Sequence, residues 1–287
     1  MTYPFILLLP LNCFLVDAAV AVSAALNVCE PSSCGIGGDA FCLFYNAKTK
    51  KVKALNGSGR SPAALNLDIV RKSGIIKQKV LPCTNINSVT VPGAAAAWYD
   101  AVKEWGSGKV SFDQIMTPAI RLAEEGVPTT EINTHSVKFY IPFYKPPRFH
   151  SIIIFQWRQS EELIKSASPN GTAMLLNGRA PHAGEIMRFP ELANTFKLLV
   201  RNGKSGFYGG IVAESIVDLI SSKGGVMTME DLASHESTFV DPISITYKGV
   251  TLYEVNPNFD FLSPHNISES QLSASGSVHP MGKVSLR

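Results

Sequence analysis

One arginine lies where it could bind the carboxylate of a small ligand. Arg60 ends the segment Asn56-Gly-Ser-Gly-Arg60, and glycines in such a loop let its backbone approach a ligand closely. A guanidinium can hold a carboxylate through two parallel hydrogen bonds, a geometry that lysine does not reproduce. Most arginines are instead solvated surface residues. On this segment alone, both interpretations of Arg60 stay open.

A nucleophile is harder to find in the sequence. A threonine at a newly freed N-terminus can use its own α-amine as the base for acyl transfer, which draws attention to the pair Thr129-Thr130. The pair follows Pro128 and precedes Glu131, which is typical of the start of a helix, so we interpret it as a cap. The sequence has no G-x-S-x-G elbow, and no cysteine lies in a known catalytic signature.

The segment Cys34-Gly-Ile-Gly-Gly-Asp-Ala40 has the G-x-G-x-x-A spacing of a dinucleotide-binding loop. That loop needs a strand before it and a helix after it. Here the sequence predicts a helix before the glycines and a strand after them. We therefore interpret the segment as a tight turn that leads into a buried strand.

Composition limits the class of protein. The chain has 287 residues, 45% of them apolar, and a formal charge of +3 with scattered basic residues, so no nucleic-acid partner is expected. The basic and aromatic stretch 140–157 is better explained by a buried strand at Ile152-Ile-Ile-Phe155. Five cysteines without C-x-x-C spacing indicate thiols rather than a zinc cage, and the histidines are too dispersed for a metal site.

The pattern of apolar residues predicts a mixture of helices and strands. The stretch Asp17 to Leu26 is apolar on every face, as in an enclosed helix. No Lys or Arg precedes Lys48, so the apolar N-terminus lacks the basic start of a signal peptide. The other predicted elements are a hairpin of Phe41–Tyr45 and Lys51–Leu55 with the first strand more buried, a short strand Ser88–Pro92, a helix Ala94–Trp105, a helix from Ser111 to Gly126, helices near 192–200 and 212–220, a short helix from Thr228, and strands 243–247 and 250–255.

Eight segments, taken in order, resemble the γ-glutamyltransferase (glutathione hydrolase) family, and the Gly-Ser-Gly-Arg form is closest to its glutathione hydrolase-like proenzyme branch. The segments are Asp17-Ala-Ala-Val-Ala, Glu30-Pro-Ser-Ser-Cys-Gly-Ile-Gly-Gly-Asp-Ala-Phe41, Asn56-Gly-Ser-Gly-Arg-Ser-Pro62, Ser88-Val-Thr-Val-Pro-Gly93, Pro118-Ala-Ile-Arg-Leu-Ala-Glu-Glu-Gly126, Gly184-Glu-Ile-Met-Arg-Phe-Pro-Glu-Leu-Ala193, Gly206-Phe-Tyr-Gly-Gly210 and Gly225-Val-Met-Thr-Met-Glu-Asp-Leu232.

The resemblance implies an α+β fold, here the large-subunit portion of the αββα sandwich of the N-terminal-nucleophile hydrolases. Members are made as precursors that cut themselves into large and small subunits. A threonine of the small subunit attacks the γ-glutamyl amide of glutathione, and the acyl group passes to water or an acceptor amine without a metal or organic cofactor. The matching position for the arginine that binds the α-carboxylate is Arg60.

The two ends of the chain depart from the family pattern. We expect three parts: an unmatched apolar N-terminus at 1–16, a family-like large-subunit region at 17–257, and an unmatched, disordered serine-rich tail at 258–287. Because the family threonine would lie beyond the matched region, we expect the chain to be inactive alone and to need a small catalytic subunit. The alternative is a non-catalytic protein that binds γ-glutamyl ligands or associates with a complete subunit.

Overall fold

The computed structural model describes residues 15–72, 84–134 and 157–255. Their contacts divide the chain into two compact units. The first unit contains the described residues up to Ala40 and from Gly57 to Ser237. The second contains Phe41–Asn56 and the described residues from Thr238 onward.

The described elements are helices, 3₁₀ turns and short strands. The helices are α1 Leu15–Cys29, α2 Leu67–Lys72, α3 Ala94–Trp105, α4 Phe112–Glu125, α5 Glu131–Thr134, α6 Glu161–Ala167, α7 Pro190–Asn202, α8 Ser205–Tyr208, α9 Gly210–Ser222 and α10 Met229–Ala233. Three 3₁₀ turns span Ile86–Ser88, Trp157–Ser160 and Gly171–Met174. The strands are β1 Ala40–Asn46, β2 Lys51–Gly57, β3 Val127–Pro128, β4 Ile186–Met187, β5 Thr238–Val240, β6 Ile243–Tyr247 and β7 Val250–Glu254.

Helices α1, α4 and α7 form the centre of the first unit, with α4 packed against the other two. Alanines along α1, such as Ala21 and Ala24, are fully buried, and their small side chains let neighbouring helices approach closely. Phe196 of α7 is also fully buried and meets Trp98 of α3 edge-on, with ring centroids 6.3 Å apart. The prediction that Asp17 to Leu26 forms a helix is confirmed. The helix is mostly buried but is not enclosed on every face, since Ala19 and Leu26 are exposed. Among the described residues, no helix is long and apolar enough to span a bilayer.

The ends of α4 follow from local sequence. Ser111 and Gln114 form a reciprocal capping box before its first turn. Gly126 follows its last turn with φ +95°, a conformation that favours glycine. Pro118 lies within one continuous helix, so the helix is not divided there. The predicted start and end of this helix are both confirmed.

The second unit consists of β-structure. Strands β1, β2 and β5 form one sheet in that order, and β5 is antiparallel to β2 with Leu55 opposite Phe239. Strands β6 and β7 form a separate antiparallel hairpin in which Ile245 lies opposite Leu252. The predicted hairpin and the two predicted strands at 243–247 and 250–255 are therefore present, and those two strands pair with each other.

Burial along the first hairpin contradicts our expectation. Strand β1 has the longer apolar run, yet Phe41, Leu43 and Tyr45 are 50%, 42% and 58% exposed. The buried strand is β2, where Ala54 and Leu55 are almost completely enclosed. Since alternate residues of a strand share one face, the three exposed side chains form an apolar face of β1 that the described part of the chain leaves uncovered.

One further element differs from the prediction, and some predictions lie outside the described residues. Ser88–Pro92 is not a strand, because Asn85 caps a 3₁₀ turn at Ile86–Ser88 and the chain then runs extended into α3. The predicted strand at Ile152–Phe155 and the predicted tail at 258–287 lie outside the described residues, as does most of the N-terminal segment 1–16.

Candidate functional site

Three loop segments of the first unit are joined by backbone hydrogen bonds. The carbonyl oxygen of Gly38 accepts hydrogen bonds from the N–H groups of Gly93 and Ala94, at 3.0 and 2.9 Å. The N–H of Val91 donates to the carbonyl oxygen of Arg60 at 2.9 Å. The segments 35–39, 57–60 and 91–94, which we call the three-segment junction, therefore hold one another at the start of helix α3.

Glycine is required in the junction because the segments touch backbone to backbone. A Cβ atom at Gly59 would lie 1.7 Å from the Val91 carbonyl oxygen, and one at Gly93 would lie 2.0 Å from the carbonyl oxygen of Gly57. At Gly57 it would lie 2.5 Å from the Cβ of Ala97. The sequence suggested that these glycines admit a ligand, but the groups that approach Gly57 and Gly59 belong to the chain itself.

Two carboxylates hold the chain on either side of Arg60. The Gly59 N–H donates to Oδ1 of Asp39 at 2.8 Å, and the Ala63 N–H donates to Oδ1 of Asp231 at 2.8 Å. Asp231 also accepts from the N–H and hydroxyl of Thr228, which caps helix α10 as predicted. Burial raises the pKa of Asp231, but these hydrogen bonds outweigh it and bring the pKa below its usual value.

The side chain of Arg60 extends from this fixed backbone as an exposed residue. Within residues 15–72, 84–134 and 157–255, its guanidinium makes no ion pair. The nearby Lys204 differs, because its Nζ lies 3.1 Å from the Asp100 carboxylate. Arg60 therefore presents a guanidinium that no described carboxylate pairs with, at a backbone position that is held from both sides.

A buried histidine lies close enough to Arg60 to be affected by its charge. His235 is 5% exposed, and its ring lies 5.2 Å from that of Tyr208 between centroids. Burial lowers the pKa of His235, and the positive charges of Arg60 and Lys204 lower it further against the opposing effect of Asp100 and Asp39. Neither ring nitrogen has a hydrogen-bond partner among the described residues.

Tyr208 connects this histidine to the junction. Its hydroxyl donates to the carbonyl oxygen of Pro92 at 2.7 Å and accepts from the Ala96 N–H at 3.0 Å. Burial raises the pKa of the Tyr208 phenol far above its usual value, so the hydroxyl stays protonated and keeps both bonds. The first turn of α3 is thereby fixed next to the segment 91–94.

Among the described residues, the threonine pair and three of the cysteines are the other candidate nucleophiles. The Thr129 hydroxyl donates to the backbone carbonyl of His182, and the Thr130 hydroxyl accepts from the Asn133 N–H at 3.2 Å, which confirms the predicted helix cap. Burial raises the pKa of the Cys29, Cys34 and Cys42 thiols, and Glu30 adds to the effect at the first two.

The glycine-rich segment 34–40 lies between helix α1 and strand β1, which confirms the element order that opposes a dinucleotide-binding loop. A Cβ atom at Gly35 or Gly37 would meet no other group within 4 Å, so these two glycines are not needed for a close contact. In the described residues, no group of three His, Cys, Asp or Glu side chains is placed to hold a metal ion.

The sequence predicted Arg60 as a ligand-binding residue and Thr228 as a helix cap, and the cap is confirmed. It did not predict that Asp39 holds the adjacent Gly59 or that the charge of Arg60 reaches His235. Asp39 was visible only as part of the glycine-rich segment, twenty residues before the amide that it holds. His235 follows the short helix α10 and had no partner or spacing that marked it. Both assignments require contacts between segments that are distant in the sequence.

Comparison with known proteins points to the same family that the sequence segments resemble. Residues 15–262 match the family described as Gamma-glutamyltranspeptidase. The chain is 32% identical over 243 residues to the Glutathione hydrolase-like YwrD proenzyme of Bacillus subtilis, and this match covers 84% of the chain and 41% of that protein. The chain therefore spans about two fifths of the length of this relative.

Solved structures give the same picture of the fold. A cephalosporin acylase from Bacillus halodurans matches with a TM-score of 0.73 and 33% identity, over 88% of this chain and 43% of that one. The γ-glutamyltranspeptidase of Helicobacter pylori matches with a TM-score of 0.68 and 25% identity, over 87% of this chain and 65% of that one. These neighbours confirm the predicted α+β fold of the N-terminal-nucleophile hydrolase type.

Proposed function

The chain belongs to the γ-glutamyltranspeptidase family, and we propose that it supplies the part of such an enzyme that binds the γ-glutamyl group, with Arg60 binding the α-carboxylate. The proposed substrate is glutathione or another γ-glutamyl amide. A small catalytic subunit would supply the nucleophile. No metal or organic cofactor enters the proposed reaction.

The observation that carries the proposal is the guanidinium of Arg60, which makes no ion pair with the described residues and extends from a fixed backbone. A carboxylate could form two parallel charge-assisted hydrogen bonds with it. Because Asp39, Val91 and Asp231 already hold the neighbouring backbone, little main-chain freedom would be lost when the ligand binds. Such preorganisation increases affinity by reducing the entropic cost of binding.

The proposed reaction is acyl transfer. A threonine hydroxyl oxygen of the small subunit would attack the γ-carbonyl carbon, and the C–N bond of the amide would break as the departing amine takes up a proton. Water or an acceptor amine would then attack the resulting ester and release the threonine hydroxyl. Because the proposed nucleophile belongs to the small subunit, we expect the 287-residue chain alone to release no product.

Two apolar surfaces support a protein partner. One is the apolar face of β1, formed by Phe41, Leu43 and Tyr45. The other is on the β6–β7 hairpin, where Val250 and Leu252 are 61% and 40% exposed. Neighbouring exposed apolar side chains of this kind mark interaction surfaces more often than isolated ones do. We propose that the small catalytic subunit covers both surfaces.

The alternative function is a non-catalytic protein that binds γ-glutamyl ligands or associates with a complete subunit. The same apolar surfaces favour it, since docking requires no reaction. The two functions differ in whether this chain restores activity to a small subunit.

The test is release of the aniline product from a γ-glutamyl anilide by the purified chain, alone and after mixing with a separately expressed small subunit. Activity in the mixture only would support the proposed function. Binding without activity in the mixture would favour the non-catalytic alternative. Activity of the chain alone would contradict the requirement for a second subunit.

A further inference from the structure

We propose that Asp39 is a positioning residue that fixes Arg60 for ligand binding, which gives a role to the Gly-Gly-Asp end of the glycine-rich segment. This inference rests on the proposed function of Arg60. It concerns a residue that touches the backbone beside Arg60 rather than the ligand itself.

Asp39 contacts the backbone next to Arg60 directly. Oδ1 of Asp39 accepts the Gly59 N–H at 2.8 Å, and Gly59 immediately precedes Arg60. A hydrogen bond from a backbone N–H to an ionised carboxylate is stronger than a bond between neutral groups. The carboxylate of one loop therefore holds the peptide from which the Arg60 side chain departs.

No side chain at position 59 could replace this contact. Gly59 is packed against the carbonyl oxygen of Val91, which leaves no room for a Cβ atom. On the other side of the peptide, the Arg60 carbonyl accepts the Val91 N–H at 2.9 Å. Asp39 and Val91 thus hold the two sides of a backbone segment that cannot be fixed by side-chain packing of its own.

The backbone that carries Asp39 is itself held by hydrogen bonds. Its preceding residue, Gly38, accepts hydrogen bonds from Gly93 and Ala94 at the start of α3. The carboxylate is exposed and therefore does not contribute by filling the core. Removing it should loosen Arg60 while leaving the first unit folded.

The variants Asp39→Ala and Asp39→Asn separate the hydrogen bond from the charge. Asparagine keeps an acceptor oxygen at the same distance from the backbone, whereas alanine removes it. Asn66→Ala is the matched control, because the exposed Asn66 Oδ1 also accepts backbone N–H groups, those of Asp68 and Ile69. Thermal unfolding establishes that each variant is folded before the other measurements.

The first readout needs no ligand. Solvent exchange of the Gly59 N–H, measured by NMR, should become about tenfold faster in Asp39→Ala, corresponding to about 1.4 kcal/mol. It should increase less in Asp39→Asn, whose neutral oxygen still accepts the hydrogen bond but more weakly, and it should stay at the wild-type rate in Asn66→Ala. Unchanged exchange in Asp39→Ala would overturn the inference, whether or not the chain binds any ligand.

The second readout is calorimetric titration with L-glutamate. We expect about tenfold weaker binding by Asp39→Ala, with recovery in Asp39→Asn. If Asp39→Asn binds as weakly as Asp39→Ala while its Gly59 N–H stays protected, the carboxylate charge acts on the ligand and the positioning role is wrong. If the wild-type chain binds no glutamate, the proposed function fails, and the exchange measurement alone decides the inference.

Discussion

The two units of the chain differ in how completely their apolar side chains are buried. In the first unit, apolar side chains such as Phe196 and Ile115 are fully enclosed, and glycines bring three backbone segments into direct contact. In the second unit, Phe41 and Val250 are at least half exposed on their strands. The first unit contains its own core and holds Arg60, whereas the second presents surfaces that suit a partner.

This contrast assigns different tasks to the two units. A site that binds by preorganisation needs a backbone fixed by many internal contacts, and the three-segment junction provides this around Arg60. A surface for another subunit needs apolar side chains that the chain itself leaves uncovered. Substitutions at the fully buried positions of the first unit should therefore change stability, and substitutions on the exposed apolar faces of the second should change association.

The largest effect is expected from Phe196→Ala. The ring is fully buried and packs against Trp98, so its removal should lower the free energy of unfolding by about 4 kcal/mol. Urea unfolding followed by tryptophan fluorescence measures this change. Phe41→Ala removes an aromatic ring of the same size from the second unit and should cost far less. Equal losses of unfolding free energy in the two variants would contradict the difference in burial between the two units.

A smaller loss is expected from Gly59→Ala. The added Cβ would lie 1.7 Å from the Val91 carbonyl oxygen, and forcing the backbones apart should cost about 3 kcal/mol. Gly37→Ala is the control, because a Cβ there meets nothing within 4 Å, and it should change stability by less than about 0.5 kcal/mol. Thermal and urea unfolding compare the two. A tolerated alanine at position 59 would show that the junction is not tightly packed.

A pH-dependent effect is expected from His235. Burial and the neighbouring cations lower its pKa in the folded protein, so the unfolded chain binds the proton more tightly. The stability that comes from the neutral imidazole is thus lost as the pH falls below the ordinary histidine value of about 6.5. His235→Phe keeps a ring against Tyr208 and should lose less stability between pH 7 and pH 5 than the wild type. An NMR titration that gives an ordinary or raised pKa for His235 would contradict this.

The smallest change in stability is expected on the apolar face of β1. Leu43→Thr keeps a residue that favours strands and should change the free energy of unfolding by less than about 0.5 kcal/mol. It should nevertheless weaken binding of the small subunit, measured as the concentration of chain needed to restore activity. Ala54→Thr, at a buried position of β2, serves as the contrast because it should destabilise the protein. An unchanged concentration dependence for Leu43→Thr would remove this face from the proposed interface.

The predictions from sequence succeeded where the determining interactions are local. Ser111 and Gln114 lie three residues apart and cap α4, and Thr228 caps α10 with Asp231 in the same way. The burial of β1 and β2 was assigned to the wrong strand, since hydrophobicity does not tell which face of a strand is covered. The contact of Asp39 with Gly59 was not predicted because it joins separate loops.

Calorimetric titration of the chain with L-glutamate and with its α-amide, comparing the wild type with Arg60→Met, tests directly whether Arg60 binds the α-carboxylate. Arg121→Met is the control, since Arg121 is an exposed arginine paired with Glu125 on a helix surface. If Arg60 binds the α-carboxylate, Arg60→Met should bind L-glutamate at least about tenfold more weakly, and the wild type should bind the α-amide equally weakly. Wild-type affinity in Arg60→Met, or no preference of the wild type for the free carboxylate over the amide, would contradict the role of Arg60 in binding the α-carboxylate.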